Sequence, residues 1–130
     1  MYLAGQEDYD KIRPLSYPNT DVFMLCFSIV SQNSFANVSN RWAPELFHHA
    51  PHVPVVLIGT KSDLRNDSKH NCIPLLDCEA LATQIGAEGY FECSALTQDG
   101  LLDCFQSSIR TAQEVQKAQK RHTRNPCTLL

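Results

Sequence analysis

The sequence predicts an α/β domain with a mostly parallel sheet flanked by helices, and three observations carry that reading. Short, nearly continuous apolar runs stand at residues 21–29 (DVFMLCFSI), 53–60 (VPVVLIGT) and 90–93 (YFEC). Runs without polar alternation fit strands covered on both faces. Between them lie segments whose apolar residues recur every three or four positions, and strands alternating with helices pair in parallel through crossovers. The polar motifs fall just after the strands, where sheets of this class hold ligands.

Residues 1–20 are polar and turn-rich, with Pro14, Pro18 and Asn19. After the first strand, residues 31–50 predict a helix, because Phe35, Val38, Trp42, Leu46 and His49 recur at helical steps. Pro44 inside it is expected to bend it or mark an irregular turn. The second strand is followed by a charged loop to residue 71. Pro74 can open a helix with Leu76, Ala80, Leu81 and Ile85 inward, ending near Gly86. After the third strand, Thr97-Gln98-Asp99-Gly100 leads into a last helix with Leu101, Leu102, Phe105, Ile109, Ala112 and Val115 on its expected inner face. Asn125-Pro126 is expected to end order. The domain reading is residues 1–120 as one unit and 121–130 as a basic tail.

With 43% hydrophobic residues in 130, the chain can form one domain with a real core. A net charge of −3 argues against a nucleic-acid partner. Lys117, Lys120, Arg121 and Arg124 form an acid-free basic stretch, the usual composition of a solvated helix end. The six cysteines include no CxxC pair. Cys26 and Cys93 in strand-like runs and Cys104 on a helical apolar face are expected as free core thiols, in a reduced, cytosolic protein. Residues 1–10 do not resemble a signal peptide, and no apolar run approaches the roughly 18 residues of a membrane span. His48, His49 and His52 lack a neighbouring acid or cysteine, so they fit a helix C-terminus and no metal site is expected.

Four motifs in order resemble those of Rho-family small GTPases, close to the Rac-like members. Residues 4–18 (AGQEDYDKIRPLSYP) resemble the second switch region, Thr60-Lys61-Ser62-Asp63 the [N/T]KxD motif, and Ser94-Ala95-Leu96 the base-contacting Ser-Ala-Lys/Leu motif. The last resemblance gains specificity from its context, residues 92–101 (ECSALTQDGL). Cys127-Thr128-Leu129-Leu130 resembles a CaaX end whose final Leu favours a geranylgeranyl group. Each motif alone is also what an ordinary turn would carry. Together with Ser34-Phe35, Trp42, Pro44-Glu45 and Leu64-Arg65, the resemblance covers residues 4–130 and implies the C-terminal part of a Ras-like P-loop GTPase fold.

The resemblance implies guanine-nucleotide binding and GTP hydrolysis in membrane-anchored signalling. Asp63 would accept hydrogen bonds from both guanine N1–H and the 2-amino group, a donor pair adenine lacks. Thr60, Lys61, Ser94, Ala95 and Leu96 would complete the base site. Ala4 and Gly5 would lie at the phosphates, and Gln6 would orient the attacking water. Tyr9, Ile12, Leu15 and Tyr17 would contact exchange factors and the GDP-dissociation inhibitor, and GTPase-activating proteins would be further partners. Cys127 would carry the lipid, with the basic tail as second signal at an anionic membrane on the cytoplasmic face.

Several family features are not found in these 130 residues. There is no GxxxxGK[S/T] and no first switch, hence no magnesium ligand, although GTP/GDP and Mg2+ are the family's cofactors. Tyr2 and Leu3 stand where the family has Asp and Thr, as in an alternative start or a partial gene product. The loop 66–72 is shorter than the family's insert helix. The 130-residue chain is therefore expected to be impaired as an enzyme, the alternatives being a non-catalytic fragment that binds regulators or an unstable product. The strand at 21–29 is expected to show an unpaired hydrophobic edge, and the last helix to lose part of its burial.

Overall fold

The computed structural model describes residues 3–124. Three parallel strands form one sheet in the order β1-β2-β3: β1 (Phe23–Ser28), β2 (Val55–Thr60) and β3 (Tyr90–Glu92). Register runs unbroken from Phe23↔Val55 to Ser28↔Thr60, and from Leu57↔Tyr90 to Gly59↔Glu92. Central β2 is buried from Val55 to Gly59, as its unalternating apolar run requires.

β1 departs from that pattern. The Phe23 N–H donates to the Pro54 carbonyl, so Leu25 and Phe27 also address β2. Met24 and Cys26 turn their backbone groups to the other side, where no strand lies among the described residues. Cys26, expected in the core, is exposed. A groove of about 780 Å3 lies against β1, walled by Met24, Cys26, Trp42, Leu46 and Phe105. The expected apolar edge is thus present in the fold.

Residues 32–49 are continuously helical but not uniformly so. Ser31 caps the start by accepting from the Ser34 N–H at 3.2 Å. α1 (Gln32–Asn37) widens into a π-turn stretch, Val38–Trp42, before α2 (Ala43–His49). Pro44 lacks an N–H and its ring crowds the preceding turn, so the irregular turn expected there falls just ahead of it.

α3 (Leu75–Gln84) buries Cys78, Leu81, Ala82 and, just past its end, Ile85. Leu76 and Ala80, expected inward, are exposed. Cys78 sets the phase: with Leu81, Ala82 and Ile85 it makes an i, i+3, i+4, i+7 stripe, and Leu76 lies about 200° around the helix from it. The helix stops at Gly86 with φ 73°, where the Ala87 N–H returns to the Ala82 carbonyl at 2.9 Å.

α4 (Leu101–Arg124) covers Val56, Ile58 and Cys93 with Cys104, and Ser108 and Ala112 continue its buried stripe. Leu102, Phe105 and Ile109, expected inward, are 67%, 51% and 57% exposed. They form the neighbouring stripe, and Phe105 among them lines the groove against β1. α4 also runs past Val115 to Arg124, since Gln, Lys, Ala and Arg are strong helix formers. The opposite sheet face is closed by Phe27, Ile29, Val38, Leu57, Ile73 and Leu81.

Two positive-φ glycines give unequal expected costs. Gly86 faces open space, so Gly86→Ala should cost about 1–2 kcal/mol for the left-handed backbone alone. At Gly100 (φ 70°) a Cβ would also run into the Glu92 carbonyl oxygen, which is backbone and cannot rotate away. Gly100→Ala should lower the urea midpoint clearly more than Gly86→Ala; equal midpoints would contradict this packing.

Candidate functional site

The N-terminal candidate residues are organised by one side chain that the sequence reading had given no role. Short 3-10 turns at Glu7–Tyr9 and Arg13–Ser16 fold the segment over α2, leaving Arg13 5% exposed. Its Nε donates to the Ala4 carbonyl at 2.8 Å, and its Nη2 donates to the Gln6 carbonyl at 2.7 Å and to Asp10 Oδ1 at 2.9 Å. Nη1 donates to Glu45 Oε1 at 2.9 Å. The Tyr17 hydroxyl donates to the other Glu45 oxygen.

The Trp42 ring lies against both Arg13 and Arg41, with guanidinium carbons 4.9 and 4.5 Å from its centroid. Asp10 bridges the same two arginines, accepting from Arg41 at 2.6 Å. Gly5 packs on the indole so closely that a Cβ would stand 2.8 Å from Trp42 Cζ2. The hydrogen bond from Arg13, followed by that from Arg41, outweighs desolvation and holds the Asp10 carboxyl below its ordinary value. Burial, and then the bond to Glu45, pushes the Tyr17 phenol well up, so it remains a donor.

Ala4, Gly5 and Gln6 are thus fixed through their backbone, while the Gln6 side chain is exposed. Tyr9, Ile12 and Leu15 are 42%, 54% and 76% exposed. Tyr17, expected to share that contact surface, is only 3% exposed and packs edge-on against Phe23 at 5.2 Å. Its place is the core, because its ring fills the space between β1 and α2 while its hydroxyl finds Glu45.

The second grouping lies beyond the carboxyl ends of β2 and β3. Thr60 Oγ1 donates to the Phe27 carbonyl at 3.0 Å, tying the end of β2 to β1. Lys61 turns left-handed at φ 63° and is exposed. The 3-10 turn Ser62–Leu64 then presents Asp63. Fully buried Ser94 donates from Oγ to Asp63 Oδ1 at 2.7 Å and accepts from the Thr97 N–H at 3.1 Å. The Ser62 N–H donates to the Cys93 carbonyl, and the Ser94 N–H to the Asp99 carbonyl. These bonds hold the Asp63 and Ser94 loops as one unit, with Ala95 and Leu96 exposed beside it. Among the described residues no hydrogen bond joins this unit to residues 4–6.

A salt bridge braces the base of that unit. Arg65 Nε donates to Glu92 Oε1 at 2.8 Å, and Nη2 donates to Oε2. Nη1 donates to the Ile73 carbonyl at 2.8 Å, and the Tyr90 hydroxyl donates to Glu92 Oε2 at 2.6 Å. Burial raises the Glu92 carboxyl, but the bonds from Arg65 and Tyr90 outweigh it and leave it below its ordinary value.

His48 and His49 end α2, with His49 edge-on to Tyr17 at 6.1 Å. Cys127, the candidate lipid site, lies outside the described residues. Arg13, Glu45, Trp42 and the Arg65–Glu92 pair are not among the candidate site residues of the sequence, although Trp42, Glu45 and Arg65 carry the resemblance. The only local signal for the first group is the i, i+3 spacing of Trp42 and Glu45 on one helical face. Residues 3–114 match the model of the Ras family.

Arg13→Met should destabilise the chain by about 3 kcal/mol, because it leaves Glu45 partly buried and unpaired. Adding Glu45→Gln should cost less than the sum of the single changes, measured by urea denaturation. For Glu92, a lowered carboxyl gives stability that is present above its ordinary pKa of 4.5 and lost as pH falls through the lower folded value. The stability gap between the parent and Glu92→Gln should be flat above about pH 5.5 and shrink below 4.5. A gap that widens on acidification would refute the assignment.

Proposed function

The chain belongs to the Ras family of small GTPases, and on that footing we propose that it is a Rho/Rac-like member that reads guanine through Asp63. A Ras-family domain supports a GTP-binding regulatory role, and the family uses GTP/GDP and Mg2+. The observation that carries the proposal is the fixed Asp63 carboxylate, held by buried Ser94 at 2.7 Å beside the carboxyl ends of the parallel strands. Asp63 accepts from the guanine N1–H and 2-amino groups. Exposed Lys61 lays its stem along the base, and Ala95 offers its backbone N–H. Ser94 keeps the carboxylate from rotating.

The phosphate and magnesium side is not matched by these residues. The 130 residues contain no GxxxxGK[S/T], and among the described residues no group of three His, Cys, Asp or Glu could hold a metal ion. Gln6 is the residue assigned to orienting water, on a backbone held by Arg13.

A second role, binding regulators without catalysis, is favoured by the exposed Tyr9, Ile12 and Leu15. Exchange factors, GTPase-activating proteins and a GDP-dissociation inhibitor are the proposed partners there. Cys127 is the proposed lipid site. It would hold the chain at the cytoplasmic face of a membrane, with Lys117, Lys120, Arg121 and Arg124 adding about 1 kcal/mol each near an anionic leaflet.

The 130-residue polypeptide should retain no GDP through gel filtration. Guanosine should still shift the Ser94 and Ala95 amide resonances, and adenosine should not. Asp63→Ala should weaken guanosine binding tenfold or more, as expected for hydrogen bonds to a charged group worth about 1.5–3 kcal/mol. Asp63→Asn should turn preference toward xanthosine, whose 2-oxo group accepts from an amide. Indifference of guanosine binding to both changes would sink the base-site assignment. In cells, Cys127→Ser should move the chain from membrane to soluble fractions, whereas unchanged fractionation would reject the anchor.

A further inference from the structure

Two cysteines outside the site's chemistry share one buried cluster beside it. Cys93 follows β3, immediately before Ser94, and is 6% exposed; Cys104 lies in the first turn of α4 and is 1% exposed. Both belong to one buried cluster with Val56 and Ile58. Independent geometry brings them together. The Cβ position of Gly100 is 3.5 Å from Cys93 Cα, and Cys104 stands one turn further along the same helical face, its N–H bonded to the Gly100 carbonyl at 3.0 Å. Both thiols are free.

We propose that Cys93 and Cys104 are a reversible redox pair that a hydroperoxide closes into a disulfide, and that closure loosens the Asp63–Ser94 base site. The proposal rests on the guanine-site reading only for its second half. In the first step the more accessible Cys93 sulfur attacks the hydroperoxide. The O–O bond breaks, Cys93 becomes a sulfenic acid, and the leaving oxygen departs protonated as alcohol or water. Cys104 then attacks the Cys93 sulfur. The S–O bond breaks, and the hydroxyl leaves as water with the Cys104 proton. Two thiols are oxidised by two electrons and one hydroperoxide is reduced; a dithiol reverses the step by exchange.

The bond would draw the sulfurs to about 2.05 Å, well inside their non-bonded contact. The strain falls on the shorter, less regular element, because Cys104 is locked into a 24-residue helix. Cys93 carries the Ser62–Cys93 backbone bond and the adjoining Ser94 hydroxyl bond to Asp63. Displacing it shifts both supports of the carboxylate. Burial, followed by the Cys93 neighbour, pushes the Cys104 thiol up to about 12. The resolving step is therefore slow at neutral pH and speeds up about tenfold per pH unit, as thiolate accumulates.

The test treats the 130-residue chain with hydrogen peroxide at pH 7 and pH 9, followed by intact-mass and non-reduced peptide mapping. The expected product has lost two hydrogens, joins the peptides of Cys93 and Cys104, forms faster at pH 9 and reverts with dithiothreitol. Cys104→Val should abolish it, while Cys78→Ser should not. Only oxygen adducts, or a cystine joining other residues, would overturn the pairing. For the second half, the Thr97 amide, which donates to Ser94 Oγ, should exchange at least tenfold faster in the oxidised chain. Unchanged exchange in a chain proved to carry the cystine would overturn the coupling. If the cystine forms and speeds exchange while guanosine never binds, the base-site reading fails and the redox pair stands.

Discussion

Arg13 is the side chain on which the first third of the molecule depends. Residues 4–17 contain no strand and no helix longer than a 3-10 turn, so they bury little apolar surface of their own. Their position comes from a nearly buried cation that uses its fork of donors on two backbone carbonyls and two carboxylates. Such a charge is tolerated away from water only when each donor is satisfied. That requirement ties four separate places, residues 4–6, Asp10, Tyr17 and α2, to one geometry. Trp42 adds an aromatic wall so close to Gly5 that a Cβ there would have to displace the ring. The segment is therefore held by polar complementarity, whereas the sheet is held by apolar burial.

The loops after β2 and β3 show the second way this chain fixes polar residues. Asp63 and Ser94 come from loops 31 residues apart in sequence. Parallel strand pairing brings the ends of β2 and β3 together, so both loops leave the sheet side by side. Ser94 is fully buried and therefore needs partners for its hydroxyl, which it finds in Asp63 and the Thr97 N–H. The Arg65–Glu92–Tyr90 network does similar work one layer lower. It joins the charged loop, β3 and the carbonyl of Ile73 through a single guanidinium. The chemistry and the packing meet in this region, and Cys93 and Cys104 lie where they overlap.

The sheet was legible because its strands are short apolar runs bounded by turn residues, and that pattern depends only on local composition. All three strands and their parallel pairing were read from it. The helix faces were less legible. In α3 the inner stripe turned on Cys78, which a reading based on leucines passes over. In α4 the largest apolar side chains, Leu102, Phe105 and Ile109, lie outside while Cys104, Ser108 and Ala112 lie inside. Periodicity gives the width of an apolar stripe, but the neighbour's shape decides which edge of it is buried. Close approach to β2 and Cys93 selects small residues.

The sequence by itself determined the α/β class, the strand positions, the family resemblance and the residues proposed to read guanine. These follow from hydrophobic pattern and from motifs whose members lie within a few positions of one another. Only the tertiary structure decided that Arg13 anchors residues 4–6, that Tyr17 belongs to the core, and that Ser94 restrains Asp63. The same holds for the apposition of Cys93 and Cys104. Tyr17 with Glu45 and Ser94 with Asp63 join positions 28 and 31 apart, and each relation depends on which groups are desolvated together. Local sequence specifies what a residue can donate, accept or bury; the packed fold specifies the partner.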